Sequence, residues 1–200
     1  KRPRRSNEPD PIMLQVLHEK QREDSLTSTL ATLPKGAQLP VTVVELNKTY
    51  LPFVDRVNRR GLPIRYGADF YSSALQSSPW AKVALWDGCV VGAAICAVSE
   101  EIAGCIHVRS LVSDVKRRGV ATQLLQAIFA DAAAHGFRKS SLRVHVRNTG
   151  AIAFYESIGY QIKETLVEYY QGSRELLESP PDAHFMLREE GEPVPDSSAT

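Results

Sequence analysis

The chain has 200 residues, of which 43% are hydrophobic and 24% are charged, and its formal net charge is +1. Its length suits one domain of ordinary size with tails, and its composition is that of a globular protein. The small net charge excludes a general attraction to DNA or to membranes, and no apolar run approaches the roughly 20 residues that cross a bilayer.

The first 37 residues are predicted to form an extension outside the main domain. Residues 1–9 are basic and contain proline, which predicts a solvated tail, with contact to an acidic partner such as RNA as the alternative. This start lacks the apolar core of a signal peptide, so we expect a cytoplasmic protein. Asp10 is followed by proline and a short apolar stripe, which predicts a helix to Asp24 that docks on the domain or on a partner. Residues 25–38 are rich in Ser, Thr, Pro and Gly and are predicted to be a linker.

Residues 38–188 are predicted to form one domain of strands and helices. It begins with a short strand over residues 39–44 and continues with a helix that Asn47 caps and Gly61 terminates. Because proline cannot lie inside a helix, the residues around Pro63 are predicted as an irregular loop. The next predicted elements are a helix over 70–76 and strands over 81–86, 90–98 and 105–112.

A hairpin and a basic turn organise the second half of the domain. Asp87 and Gly88 separate two strands and favour the positive φ angles of a tight hairpin. After the basic turn at 116–121, the predicted elements are a helix ending at Gly136, a strand over 141–146, a helix from Asn148 to about 158, strands over 161–170 and 183–187, and a disordered acidic tail over 189–200. This order predicts an α/β (α+β) fold with a mixed, mostly antiparallel seven-stranded sheet, about four flanking helices and an extra N-terminal helix.

The three cysteines are Cys89, Cys96 and Cys105. They are odd in number, lack metal-ligand spacing and lie in apolar, strand-like runs. We therefore expect reduced core thiols of an intracellular protein and no metal site.

The turn at residues 116–121 has the chemistry of a phosphate site. It precedes a helix, whose first N–H groups have no intrahelical partner and whose dipole is positive at that end. Gly119 lets the backbone approach a ligand closely, while Lys116, Arg117 and Arg118 add positive charge. The sequence thus predicts a nucleotide-like ligand that carries a pyrophosphate.

Two motifs resemble those of the GNAT superfamily of acetyl-CoA-dependent N-acyltransferases. Lys116-Arg117-Arg118-Gly119-Val120-Ala121 is similar to its pyrophosphate motif, Gln/Arg-x-x-Gly-x-Gly/Ala, with Lys in the first position. Asn148-x-x-Ala151-x-x-Phe154-Tyr155-x-x-x-Gly159-Tyr160 is similar to its second signature. The resemblance implies the GNAT fold and acetyl-CoA as the cofactor. The cofactor-binding residues that it implies are Arg109, Leu111, Val112, Lys116, Arg117, Arg118, Gly119, Val120, Ala121, Thr122, Asn148, Phe154 and Tyr155.

A closer resemblance, to the NatE-type N-terminal acetyltransferases, covers about residues 39–188. It is carried by residues 62–66, Glu164-Thr165, Tyr169-Tyr170 and Asp182-Ala183-His184. It implies acetylation of the α-amino group of nascent polypeptides that begin with Met and a hydrophobic residue. The implied substrate-binding residues are Leu62, Pro63, Ile64, Tyr66, His107, Tyr169 and Tyr170. Eleven residues separate Tyr170 from Asp182, more than is usual in that family.

The resemblance also implies direct attack of a neutral amine on the acetyl thioester. Tyr155 matches the residue beside the thioester sulfur, where a phenol can donate a proton to the leaving thiolate. The family's catalytic Tyr and His correspond by spacing to Cys105 and Arg143, and arginine cannot accept a proton at any useful pH. His107 and His145 each lie two residues further, on the same strand face, and are the alternative bases.

Three functions remain open from the sequence. The first is an active N-α-acetyltransferase, the second a GNAT subunit that binds acetyl-CoA and a partner without catalysis, and the third an acetyltransferase for a small amine or lysine. A peptide α-amine, with a pKa of about 7.7–8.0, loses its proton more easily than lysine at about 10.4, which favours the first. The resemblance implies the NatA auxiliary subunit and the ribosome as partners.

Overall fold

The computed structural model describes residues 24–173 and 179–189 of the chain. Its centre is a seven-stranded sheet. Along the chain the strands are β1 (Thr42–Glu45), β2 (Ala81–Trp86), β3 (Cys89–Val98), β4 (Cys105–Ser113), β5 (Lys139–His145), β6 (Gln161–Leu166) and β7 (Ala183–Glu189). In space their order is β1-β2-β3-β4-β5-β7-β6, and neighbours are antiparallel except for β4 and β5. The predicted mixed sheet is therefore confirmed.

Five α-helices of the described residues pack against this sheet. They are α1 (residues 24–32), α2 (Leu51–Gly61), α3 (Ala68–Gln76), α4 (Val120–Ala134) and α5 (Thr149–Ser157). Because side chains alternate along a strand, β3 contributes to both faces. Ala93 and Ile95 join the core with α2 and α3, whereas Ala94 and Cys96 join the core with α4 and α5. Both faces of the sheet are thus buried.

The two parallel strands diverge halfway along their length. β4 pairs with β5 only from Cys105 to Val108, while β5 remains paired with β7 as far as His145. The register between β3 and β4 skips Arg109, which marks a β-bulge where the divergence begins. Beyond this bulge, the edge of β4 that faces β5 has no strand partner among the described residues. An open cleft results, with main-chain polar groups along one wall.

The prediction of a linker over residues 25–38 is wrong for residues 25–32, which belong to helix α1. Leu26 and Leu30 of this helix and Leu33 just after it recur at helical spacing and pack against the core that contains α4. The serines and threonines between them hid this apolar stripe in the sequence. The tail at 1–9, the start of the helix predicted from Asp10 and the acidic tail beyond residue 189 lie outside the described residues.

Three other local predictions differ from the structure. Asn47 accepts a hydrogen bond from the N–H of Thr49 instead of capping α2, whose N-cap residue is Tyr50. The first strand starts at Thr42, because the N–H of Leu39 already donates to the main-chain oxygen of Arg118. The sixth strand ends at Leu166, and the residues up to 170 form a turn.

The hairpin after β2 is as predicted, with φ angles of 47° at Asp87 and 71° at Gly88. Cys96 and Cys105 are buried, Cys89 is half-buried, and all three are free thiols. Within the part of the chain that the structure describes, no helix is long and apolar enough to cross a membrane.

Candidate active site

A groove of about 550 Å³ follows the open end of β4 and passes the N-terminus of α4 to reach α5. Most of the predicted cofactor residues line it: Leu111, Val112, Lys116, Arg117, Gly119, Val120, Ala121, Thr122, Asn148, Phe154 and Tyr155. Gly61, Leu62, Ser113, Val115, Gly150 and Ala151 complete the lining, although the cofactor prediction did not include them.

The end of this groove at α4 fits a pyrophosphate. Arg117 and Gly119 both have positive φ angles, 56° and 73°, which turn the chain sharply into the helix. A side chain at Gly119 would be strained by this φ angle and would place its Cβ 3.0 Å from the side chain of Gln38, which would have to shift. The first N–H groups of α4 therefore face the groove without intrahelical partners, beside the cations of Lys116 and Arg117.

Arg118 differs from its neighbours, because its side chain does not line the groove. Its guanidinium donates to the main-chain oxygens of Leu30, Pro34 and Ala37 at 3.2, 2.6 and 3.3 Å. These carbonyls end α1 and the segment after it, where a cation is favoured by the helix dipole. The Arg118 side chain therefore supports the turn from the side opposite the groove and, contrary to the prediction from the sequence, does not add its charge to the cofactor site.

A second, smaller cavity of about 150 Å³ continues from the groove into the cleft between β4 and β5. The residues common to both are Leu62, Leu111, Asn148, Ala151 and Tyr155. The predicted substrate residues Leu62, Pro63, Ile64, Tyr66 and Tyr170 line the smaller cavity. The two spaces therefore meet beside Tyr155.

Two aromatic side chains hold the loop at residues 62–66 in place. Tyr66 stacks on Phe70 of α3 with ring centroids 3.9 Å apart, and its hydroxyl donates to the main-chain oxygen of Arg109 at 3.3 Å. Burial raises the pKa of Tyr66, so the hydroxyl remains a donor at neutral pH. The loop is thus fixed to β4 as one wall of the cavity.

Arg109 lies in the smaller cavity and not in the cofactor groove. Its guanidinium donates to Ser73 Oγ at 2.8 Å and lies 4.7 Å from the centroid of the Phe70 ring. The β-bulge at this residue interrupts the alternation of side chains along β4, which motif spacing alone does not reveal. The prediction that Arg109 binds the cofactor therefore does not match its position.

Tyr169 and Tyr170 have different environments. Tyr170 lines the cavity, and its hydroxyl donates to the main-chain oxygen of Arg143 at 3.4 Å. Burial, with a contribution from Tyr169, raises the pKa of Tyr170 to about 12. Tyr169 is 46% exposed and does not line the cavity; it packs edge-on against Tyr170 and beneath the Arg143 guanidinium. Of the predicted pair, only Tyr170 contacts the substrate space.

Tyr155 closes the inner end of both spaces. Its side chain is buried, and burial is the main cause that raises its pKa well above the usual value of a tyrosine. The neighbouring ionisable groups Cys96 and Tyr170 act in the same direction. Tyr155 is therefore a protonated phenol at neutral pH and can donate a hydrogen bond or a proton.

His107 is not among the residues that line the cavity. Its Nε2 accepts a hydrogen bond from Arg143 at 3.3 Å, and its Nδ1 lies 2.9 Å from Ser141 Oγ. Burial, followed by the positive charge of Arg143, lowers the pKa of His107 to about 4. With both ring nitrogens occupied and so low a pKa, His107 is poorly suited to remove a proton from an amine.

The resemblance implies the catalytic Tyr and His at two positions, and the residues present there make other contacts in the structure. Cys105 is fully buried and its Sγ donates to the main-chain oxygen of Ile106. Arg143 Nη2 donates to both carboxylate oxygens of Glu101 at 2.7 and 2.6 Å. Sequence reasoning missed Glu101, because no motif links it to a residue 42 positions away.

His145 remains in the cavity, where it is 9% exposed. Its Nδ1 accepts the N–H of Arg147 at 3.2 Å within the turn that precedes α5. In the same turn, Asn148 Oδ1 accepts the N–H of Ala151 and so caps α5 as predicted. This turn therefore places Asn148 at the junction of the two spaces and His145 in the smaller cavity.

A ligand for the larger groove needs a pyrophosphate at one end and a narrow arm that passes between diverging strands. Coenzyme A has this form, and the thioester of an acyl-CoA would end near Tyr155. The fold and the groove thus define an acyltransferase that uses an acyl-CoA. Comparison with known families matches residues 45–160 to the acetyltransferase (GNAT) family, and the chain belongs to that family. The protein is an acetyl-CoA-dependent acetyltransferase.

Individual relatives are consistent with this assignment. The chain is 28% identical over 174 residues to the probable N-acetyltransferase san of Drosophila melanogaster, covering 85% of this chain and 88% of that one. It is 28% identical over 137 residues to N-alpha-acetyltransferase 50 of Danio rerio, covering 66% and 79%. The solved structure of Arabidopsis thaliana Naa50 with the bisubstrate analogue CoA-Ac-MVNAL has the same fold, with a TM-score of 0.66, 22% identity and coverage of 76% and 99%.

Proposed function

We propose that the protein transfers acetyl from acetyl-CoA to the α-amino group of polypeptides, preferring Met followed by a hydrophobic residue. The observation that carries this proposal is the junction of the cofactor groove with a second, smaller cavity at Tyr155. Leu62, Pro63 and Ile64 give that cavity an apolar wall, which suits a Met side chain and its hydrophobic neighbour. Two relatives named as N-acetyltransferases support the same chemistry.

Different residues of the chain bind the cofactor, stabilise the developing charge and donate a proton. The first N–H groups of α4 hold the pyrophosphate, and main-chain groups near Leu111 and Val112 bind the pantetheine arm along the unpaired edge of β4. Acetyl-CoA supplies the activated acetyl group as a thioester. A main-chain N–H of the same edge donates to the acetyl oxygen as charge develops on it, and Asn148 contacts the arm from the other side. Tyr155 donates its proton to the departing thiolate.

An α-amine needs little help to lose its proton. Its pKa of about 7.7–8.0 leaves a sizeable minority neutral at pH 7.4, whereas lysine at about 10.4 is roughly three units away, or ~4 kcal/mol. The burial of Cys105 and the ion pair of Arg143 leave no Tyr–His base at those positions. An N-terminal substrate therefore suits this site better than an internal lysine does.

The presence of Cys105 and Arg143 at the positions of the catalytic Tyr and His favours a second candidate function. This is a weakly active or inactive subunit that binds acetyl-CoA and a partner. Mass spectrometry separates the two. The protein is incubated with acetyl-CoA and peptides that start Met-Leu or Ser-Glu, or that have a blocked N-terminus and a free lysine. We expect a gain of one acetyl group on Met-Leu first and none on the blocked peptide. A Met-Leu rate no higher than that of the uncatalysed reaction would leave the subunit function.

We further propose that the protein acts in the cytoplasm on nascent chains, with the NatA auxiliary subunit and the ribosome as partners. The resemblance at residues 62–66 and 164–170 supports this assignment. Co-purification of the full chain with the auxiliary subunit, and co-sedimentation with ribosomes, test the two partners separately. Failure of both would leave a free enzyme and would not affect the proposed chemistry.

A further inference from the structure

Two buried polar groups without partners lie on the two diverging strands. The Nε2 of His145, on β5, and the hydroxyl of Ser110, on β4, each lack a hydrogen-bond partner among the described residues. Both residues line the substrate cavity, and they are 9% and 5% exposed. An unsatisfied buried group costs about 1–3 kcal/mol, and such groups are rare in folded proteins. The cavity is therefore prepared for a polar ligand.

The main chain decides which nitrogen of His145 carries the proton. The N–H of Arg147 points at Nδ1, which must accept with its lone pair. In a neutral imidazole the proton then lies on Nε2. The ring nitrogen without a partner is thus a donor, and it has no lone pair with which to accept a proton from an amine.

Neighbouring side chains do not provide the missing acceptor. The oxygen of Asn148 accepts from the N–H of Ala151 and makes no hydrogen bond with Nε2. The hydroxyl of Tyr170, whose ring lies 5.8 Å from that of His145, donates to Arg143 and makes none either. A ligand that enters the cavity can supply the acceptor.

We propose that His145 Nε2–H donates to the carbonyl oxygen of the substrate's first residue. This inference rests on the proposed function and deepens it. The attacking amine must keep its lone pair free, so the first carbonyl is the acceptor that every N-terminal residue brings into the cavity. A lysine ε-amine has no carbonyl at that distance. His145 is therefore a substrate-binding residue that distinguishes an N-terminus from a lysine side chain.

Two substitutions distinguish this donor role from a role of His145 as the catalytic base or as a support of the turn. In His145→Gln, the amide nitrogen lies near the former Nε2, so the donor is kept while the bond to Arg147 is lost. In His145→Asn, the amide oxygen lies near the former Nδ1, so the bond to Arg147 is kept while the donor is lost. Thermal unfolding and the stabilisation by acetyl-CoA show that each variant is folded and binds the cofactor.

With a Met-Leu peptide, we expect His145→Asn to lower kcat/KM roughly tenfold and His145→Gln to stay within roughly threefold of the parent. An equal loss of kcat in both would mean that His145 is the base. A loss in Gln alone would mean that it only supports the turn. Either result overturns the proposal.

A modified substrate tests the acceptor itself. A peptide with a trans-alkene in place of its first peptide bond lacks the carbonyl oxygen, and the parent and His145→Asn should then differ by less than about twofold. A persistent tenfold difference would contradict the assignment of the carbonyl. If the parent transfers no acetyl group, the proposed function fails, and peptide affinities of the CoA-loaded proteins still make the same comparison.

Discussion

The guanidinium of Arg118 donates to the main-chain oxygen of Leu30, which lies 88 residues earlier in the chain, at 3.2 Å. The same group also reaches Pro34 and Ala37. The turn that faces the pyrophosphate on one side is thus fastened to α1 on the other. Helix α1 is a brace of the cofactor site, held also by the packing of its leucines on the core.

Removal of this brace should weaken cofactor binding without touching the groove. We expect Arg118→Ala to lower the free energy of unfolding by about 1–2 kcal/mol, because hydrogen bonds of a charged donor to three carbonyls are lost. Acetyl-CoA affinity should fall several-fold, measured by calorimetry. Arg118→Lys keeps the positive charge but loses the planar, forked donors of the guanidinium. Its stability and its acetyl-CoA affinity should therefore lie between those of the parent and those of Arg118→Ala. Unchanged affinity in Arg118→Ala would show that α1 does not support the turn.

Gly119 should not tolerate a side chain. Its φ of 73° is left-handed, and a Cβ there would press on Gln38. We expect Gly119→Ala to cost about 1–2 kcal/mol of stability and to abolish most of the thermal stabilisation by acetyl-CoA.

Gly136 provides the matched control for that substitution. It is also left-handed, with φ 82°, but a Cβ there would meet nothing within 4 Å. Gly136→Ala should therefore lose stability and retain the stabilisation by acetyl-CoA. Equal cofactor binding in both variants would contradict the assignment of the turn as the pyrophosphate site.

Tyr155→Phe should lower kcat by about 10²–10³, since a general acid contributes on this scale. Acetyl-CoA affinity should change little, because the ring remains in place. Burial raises the pKa of Tyr155, so the parent should show no alkaline loss of kcat from this group even at the pH where an ordinary tyrosine ionises.

Tyr160→Phe controls for the loss of a buried hydroxyl. The hydroxyl of Tyr160 lies 2.6 Å from Ser140 Oγ within the core. This variant should lose about 1–3 kcal/mol of stability and keep its turnover. A similar loss of kcat in both tyrosine variants would mean that Tyr155 acts only through packing.

His107 should make the fold sensitive to acid. Burial and Arg143 lower its pKa from the ordinary 6.5 to about 4, so the unfolded chain binds a proton more readily than the folded one between these values. With respect to this group the folded state has its full stability above pH 6.5, and it loses on the order of 3 kcal/mol as the pH falls through 4.

Urea unfolding of the parent and of His107→Gln at several pH values measures this effect. Other titrating groups cancel in the difference between the two proteins. We expect the parent to lose unfolding free energy relative to His107→Gln as the pH falls from 6.5 to 4. A difference that is independent of pH would show that His107 has no lowered pKa.

The sequence alone determined the features that depend on neighbouring residues. The hairpin at Asp87 and Gly88, the end of α4 at Gly136 and the cap of Asn148 on α5 each follow from a few adjacent residues, and the structure has all three. The order of these elements also predicted a mixed, mostly antiparallel sheet, and in the structure the strands joined by α4 are its parallel neighbours.

Only the tertiary structure decided which way the candidate side chains point. Lys116 and Arg117 line the groove while Arg118 supports α1, although the three are adjacent in one motif. A bulge moves Arg109 out of the cofactor site, and Glu101 pairs with Arg143 from 42 residues away. The main chain of Arg147 makes His145 a donor. Each outcome depends on contacts between segments distant in sequence, which local patterns do not encode.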